Sequence, residues 1–260
     1  YKMIDQQHIR DGIFYKLYII TIYKLVTKLY PIEIENKENL FSGDKSCIYI
    51  SRHTTHNWEL LLGLLTLNQH SKKIIRGLGH YLIYTLCPWY LLLGVLVGTR
   101  NTTNELIKND EYIFVIPGGG EEMTFGCENK NKTFWKSKSK KYKMGFAKLA
   151  SQHGIPVIPI HGENVENMVW APFQLLANKI GLTRSYSIIM DQTKNIKVYQ
   201  MLFFIKMFFT VIFCSILVIP VRTQIKLRIG NHIYRNEYET LEQYTKRCEH
   251  ELNKLLKRCD

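Results

Sequence analysis

The chain has 260 residues and a formal net charge of +13; 46% of its residues are hydrophobic, 22% are charged, and 16 Tyr and 12 Phe make it unusually aromatic. That length and balance describe a globular chain able to bury a sizeable core, most simply as one large α/β unit, and six widely spaced cysteines without a C-x-x-C pair exclude a small disulfide scaffold. The positive charge calls for an anionic partner, but the basic residues are scattered or gathered in KSKSKKYK with no zinc-finger, RNP or homeodomain pattern, so a membrane surface or phosphate-bearing ligand is expected rather than nucleic acid.

Residues 1–30 form the first unit. The chain begins at Tyr1 rather than Met, so further residues are expected upstream. Within DGIFYKLYIITIYKLVTKLY, Lys16, Lys24 and Lys28 stand among Phe, Tyr, Leu and Ile, which predicts an amphipathic helix lying at a membrane interface with snorkelling lysines. Residues 31–260 form the second unit. Short β-rich runs at 47–51, 73–78, 112–116, 155–160 and 224–230 are separated by stretches that read helical: Trp58 to Leu67, Leu82 to Leu96 with Pro88 inside, Asn104 to Lys108, and Lys143 to His153. This alternation predicts an α/β fold with a central, mainly parallel sheet flanked by helices, accompanied by membrane-associated hydrophobic helices.

The first run, CIYIS, leads into RHTTHNWE. Asn57 is placed to cap the following helix, which sets Glu59 in its first turn, where a carboxylate is favoured and can turn back onto His53. A histidine held by a carboxylate has a fixed tautomer and raised basicity, as a general base acting on a hydroxyl requires. His56 is the rival for that role. Metal ligation by His53, His56 and Glu59 and a purely structural polar cluster are the competing readings, although their three-residue spacings do not match the i, i+4 pair of a helical metal site.

HYLIYTLCPWYLLLGVLVG (80–98) reads as a buried or membrane-facing helix pair, since Pro88 would break a spanning helix. It runs into GVLVGTR, where Arg100 beside Gly94 and Gly98 is either a loop residue or a phosphate clamp. Next, IFVIPGGGEE places Gly118, Gly119, Gly120, Glu121 and Glu122 after a strand; its backbone amides suit an anion nest or oxyanion hole, or simply a flexible turn. The Lys-Ser/Thr ending of a P-loop is missing, which argues against nucleoside triphosphate chemistry. IPVIPIHGEN contributes Pro156 and Pro159 around a short strand and by itself reads as structure. QMLFFIKMFFTVIFCSILVIP (200–220) is long enough to span a bilayer and equally suited to lie in the interface. Finally, Thr240-x-x-Gln243 forms a capping box ahead of an amphipathic helix over 240–257 with Leu241, Tyr244, Cys248, Leu252 and Leu255 on one face.

In this order, His53-x5-Glu59, GVLVGTRNTTNELI, YIFVIPGGGEE and GFAKLASQHGIPVIPI resemble the four blocks of the glycerolipid acyltransferase superfamily, over roughly residues 30–235. More narrowly they resemble the branch containing diacylglycerol acyltransferases and their transmembrane relatives. The resemblance implies catalysis by His53 with Glu59 as its partner, and substrate binding by Arg100, Gly118, Gly119, Gly120, Glu122 and Pro159. It implies an endoplasmic reticulum membrane enzyme with its active site facing the cytosol, with acyl-CoA or another acyl donor as co-substrate, membrane lipids as partners and neither metal nor resident cofactor. Three features depart from the pattern: the acid is Glu rather than Asp, Trp58 occupies the usual acid spacing, and Asn231-His232 follows the last strand run where relatives carry an acid and a proline.

The implied activity is transfer of a fatty acyl group to a hydroxyl of mono- or diacylglycerol; absence of the P-E-G-T-R arginine favours a neutral acceptor. A lysophospholipid acyltransferase and a non-catalytic lipid-binding protein of the same fold are the alternatives, while the lack of G-x-S-x-G weighs against a hydrolase.

Overall fold

A strand buried on both faces reads as an unbroken apolar run rather than an alternating one. β2 (Ile48–Ile50) and β5 (Tyr112–Val115) meet that condition and sit at the centre of a seven-stranded sheet. The computed structural model describes residues 13–54, 58–80, 88–119, 122, 133, 135–136, 141–181, 185, 188–189, 192–193, 197–202, 204–205, 208 and 218–257. The other strands are β1 (Ile32–Glu35), β3 (Ile75–Gly79), β4 (Val95–Val97), β6 (Val157–Glu163) and β9 (Ile225–Ile229), in the order β1-β9-β6-β2-β5-β3-β4. Every neighbouring pair is parallel except β6 with β9. A separate antiparallel ribbon joins β7 (Val169–Trp170) to β8 (Ile219–Pro220), and α5 (Pro172–Lys179) follows β7.

Helices cover both faces of the sheet. On one face α2 (Trp58–His70) packs Leu60, Leu64 and Leu67 against Tyr49, Phe114 and Ile158. On the other, α3 (Arg100–Lys108), α4 (Gly145–His153) and α6 (Leu241–Lys257) bring Ile107, Ala147, Cys248 and Leu252 onto Ile48, Ile50 and Val157. The result is a three-layer α/β/α architecture, as the alternation of runs predicts. α2 is apolar almost all round because it is itself covered by α1 (Ile13–Leu29), whose Tyr15 and Ile19 pack on Leu65 and Leu93. α6 starts on the reciprocal bonds of its capping box: Thr240 N–H donates to Gln243 Oε1 (2.8 Å) and Gln243 N–H to Thr240 Oγ1 (3.2 Å).

One expectation is corrected, and a second is altered at its end. The helix read from Leu82 to Leu96 is, in its described part, a 3-10 turn (Pro88–Leu91) followed by β4. β-branched Val95 and Val97 flank Leu96, and all three pair in register with Gly77, Leu78 and Gly79, so sheet pairing prevails over an apolar pattern that fits either structure. Residues 81–87 lie outside the described residues. The run 200–220 ends in β8 rather than in helix, and among the described residues no helix is long and apolar enough to cross a membrane. Much of that run, residues 209–217 included, lies outside the described residues.

Candidate active site

Side chains that follow the carboxyl ends of parallel strands gather at one end of the sheet, where α/β proteins bind ligands. β2 delivers Arg52 and His53 there, β5 delivers Gly118 and Gly119, and β6 extends beyond its neighbour to deliver His161 and Glu163. Glu59 comes from the first turn of α2, where the amide dipoles favour its charge. His53 and Glu59 are both buried and paired: Nδ1 of His53 lies 2.9 Å from Glu59 Oε1 and 3.1 Å from the Thr54 carbonyl oxygen. Both neighbours are acceptors, so the neutral ring carries its proton on Nδ1 and presents Nε2 as the base. Thr54 Oγ1 donates to the other Glu59 oxygen and fixes the carboxylate from its far side.

The environments of the two histidines at this end, His53 buried and His161 half-buried, differ in sign. Burial, the largest effect on His53, opposes its protonation, but the Glu59 carboxylate, its hydrogen bond and the charge of Glu122 together outweigh burial and hold His53 above its ordinary value of 6.5. His161 is pushed down to about 3 by burial and then by the positive charges of Arg52 and Arg228. It stays neutral at physiological pH and is a poor proton acceptor. Of these two, only His53 is tuned as a base.

Glu122 is wholly buried, and its Oε2 accepts the His53 backbone N–H at 2.7 Å. The acid therefore holds the histidine's main chain and joins the glycine turn after β5 to the loop after β2. Gly118 makes this possible: a Cβ there would fall onto the Glu122 side chain. Its carbonyl accepts Lys143 Nζ at 2.6 Å, which ties the turn to the start of α4. A Gly118→Ala protein is expected to lose about 1–3 kcal/mol in urea denaturation, with a larger proportional loss of turnover than of stability, because Glu122 must leave the His53 amide. Gly119 has φ of 60° and donates its N–H to the Ile116 carbonyl at 3.1 Å, so that amide closes the turn rather than facing an anion. Gly120 and Glu121, like His56 and Asn57, lie outside the described residues.

Arg100 and Pro159 occupy other positions. Arg100 is exposed and opens α3 directly after Thr99, whose hydroxyl accepts the Thr102 N–H. It follows β4, three strands from β2, which at the usual strand spacing is roughly 14 Å from the His53 strand. Pro159 is buried within β6 opposite Ile50, and its carbonyl accepts the Gly230 N–H at 2.7 Å. Its place is in the floor of the site. His232, beyond β9, lies with Nε2 2.9 Å from the Asn39 carbonyl oxygen and belongs to the packing of that loop.

A further polar network escaped the sequence reading. Arg52 pairs with Glu166 at 3.0 Å, linking the residue before His53 to the 3-10 turn Val165–Met168. Arg228 bonds Glu35 on β1 (2.7 Å) and Glu163 on β6 (2.6 Å), clamping the strands on either side of β9. The signal was the charge alternation in IEIE and IKLRI, which is visible in the sequence but meaningless until the strands are known to be neighbours. Arg228→Ala is expected to cost roughly 2 kcal/mol in a thermal or urea melt, since Glu163 keeps its charge but loses the guanidinium.

No protein-family model and no curated protein sequence matches the chain. Among solved structures, the chain is similar in fold to the 1-acyl-sn-glycerophosphate (LPA) acyltransferase PlsC from Thermotoga maritima, with a TM-score of 0.52 and 14% identity, covering 99% of this chain and 84% of that one. The likeness spans the whole α/β architecture described above.

Proposed function

We propose that the protein is a glycerolipid O-acyltransferase, with acyl-CoA or a comparable thioester as donor. The observation that carries this reading is the buried His53–Glu59 pair, with Nδ1 committed to its acceptors and the ring held above its ordinary basicity, at the ligand-binding end of the sheet. In the reaction, Nε2 of His53 takes the proton of a glycerol hydroxyl as its oxygen bonds to the thioester carbonyl. The tetrahedral intermediate expels the thiolate, which recovers that proton from the imidazolium. Glu59 balances the transient positive charge and keeps the ring in line. Arg100 is the residue we assign to the donor's phosphates.

For the acceptor, the glycine turn Pro117–Glu122 without an arginine supports a neutral mono- or diacylglycerol. The second reading, a lysophosphatidate-type acceptor, is favoured by the activity named for the Thermotoga maritima protein of similar fold. We place the enzyme at the endoplasmic reticulum membrane with its site towards the cytosol, on the strength of the basic, aromatic-rich chain and the source of its substrates. Membranes supplied with labelled acyl-CoA and a panel of acceptors test the proposal. Acylated glycerolipid that disappears in the His53→Ala protein is expected. Unchanged turnover in that variant, or hydrolysis of the donor with no acceptor used, would defeat it.

A further inference from the structure

Residues 52 and 53 are consecutive, and the side chain of each is held by an acid referred to α2. Glu59 belongs to the first turn of that helix and takes Nδ1 of His53. Glu166 lies in the 3-10 turn Val165–Met168 and accepts a guanidinium N–H of Arg52 at 3.0 Å. The turn is itself fixed: Val165 and Met168 are buried in one apolar cluster with Leu62 of α2, and the Met168 carbonyl accepts both Tyr30 Oη (3.1 Å) and Val221 N–H (2.8 Å). A closed circuit results, running from Glu59 through His53 and Arg52 to Glu166 and back through the packing of the turn on α2.

Such a circuit answers a mechanical problem. A bond at Nδ1 fixes one atom of the imidazole, but the chain that bears the ring can still rock about that bond and swing Nε2 on its far side. Ser51 N–H still bonds the Val115 carbonyl at 3.2 Å, so the chain leaves β2 extended, and successive side chains of an extended chain point to opposite sides. A grip on Arg52 therefore resists the rotation that a grip on His53 permits. Stability does not account for the pair. Arg52 is 4% exposed and Glu166 20%, and a pair so placed loses in desolvation about what it gains in attraction, so apolar residues of similar size would hold the fold as well. Ile48 and Ile50, the alternate positions before Arg52, are such residues. What the ion pair adds is direction, because a planar guanidinium meets a carboxylate in a preferred orientation.

We infer that Glu166, acting through Arg52, is a positioning residue for His53 that sets the angle at which Nε2 meets the acceptor hydroxyl. Its consequence for turnover rests on the acyl-transfer reading above, but the geometry it claims is measured without substrate. The main test is Arg52→Met/Glu166→Met, which removes both charges and keeps apolar volume. This protein is expected to match wild type in urea denaturation, yet to lose about tenfold to a hundredfold in kcat with KM little changed. The Nδ1 proton of His53, followed by NMR and assigned by its loss in His53→Ala, should shift or broaden in the same protein. Arg52→Lys keeps the charge but not the planar fork, and should recover part of both losses relative to Arg52→Met.

Turnover within about threefold of wild type in the double methionine protein overturns the inference. So does an unmoved Nδ1 proton, or a loss of turnover that only tracks the fraction unfolded, which would make the pair structural. Should that protein fail to fold by circular dichroism, Glu166→Asp, with the acid one methylene shorter, decides the matter: a shifted Nδ1 proton supports the positioning role and an unshifted one refutes it. A wild type without acyl transfer whose Nδ1 proton is still moved by the double substitution would defeat the proposed reaction and leave the positioning of His53 standing.

Discussion

Replacing His53 with alanine is expected to lower kcat for acyl transfer by about 10²–10⁴, with the fold retained. The size follows from the role. A thioester carries its own good leaving group, so the missing element is a base to make the hydroxyl a nucleophile, and at this site Nε2 of His53 is built to be that base by the acceptors at Nδ1. His161 cannot replace it, because burial and the charges of Arg52 and Arg228 keep it neutral down to about pH 3. Circular dichroism and urea denaturation of the variant separate lost chemistry from lost structure. Turnover within a factor of about three of wild type would remove His53 from the mechanism.

Glu59→Gln is expected to lower kcat by a comparable factor and also to move the pH profile, which distinguishes positioning from mere packing. His53 acts when neutral, so kcat/KM rises as pH increases through its folded-state value, which lies above 6.5 in wild type. Glutamine removes the opposing charge; burial then prevails and the rising limb shifts to lower pH. Stability obeys the opposite sense. A histidine whose folded value is raised contributes stability fully below about 6.5 and loses it as pH rises through the higher folded value, so wild type but not Glu59→Gln should become less stable across that window. Because the two residues act as one unit, the double variant should be scarcely slower than either single variant.

The sheet and the site were legible to different depths. CIYIS, YIFVI, IPVIPI and QIKLRIG are buried or nearly so along their strands, and such runs declare themselves without knowledge of neighbours. β1 and β4 did not: IEIE is a polar edge strand, and VLV sits inside an apolar stretch that also satisfies a helix. Within the site, the His53–Glu59 pairing could be anticipated because a short loop and a helix start bring them together locally. Glu122's bond to the His53 amide, and the Arg52–Glu166 and Arg228 pairs, join residues 69, 114 and 65 positions or more apart, so no spacing rule reveals them.

The antiparallel closure of β9 on β6 makes the intervening excursion a removable cassette. Its anchors are already paired across the ribbon, Val169 with Pro220 and Trp170 with Ile219. A chain segment that departs and returns at one point can change length at little thermodynamic cost, about 0.6 kcal/mol for each doubling, provided its ends remain clamped. The stretch between the buried Ala171 and Val218, which packs beside Trp58, can therefore lengthen or contract without disturbing the register of the sheet or the separation of His53 from Glu59. A mutational path that alters this excursion need not pass through any variant with a damaged catalytic centre.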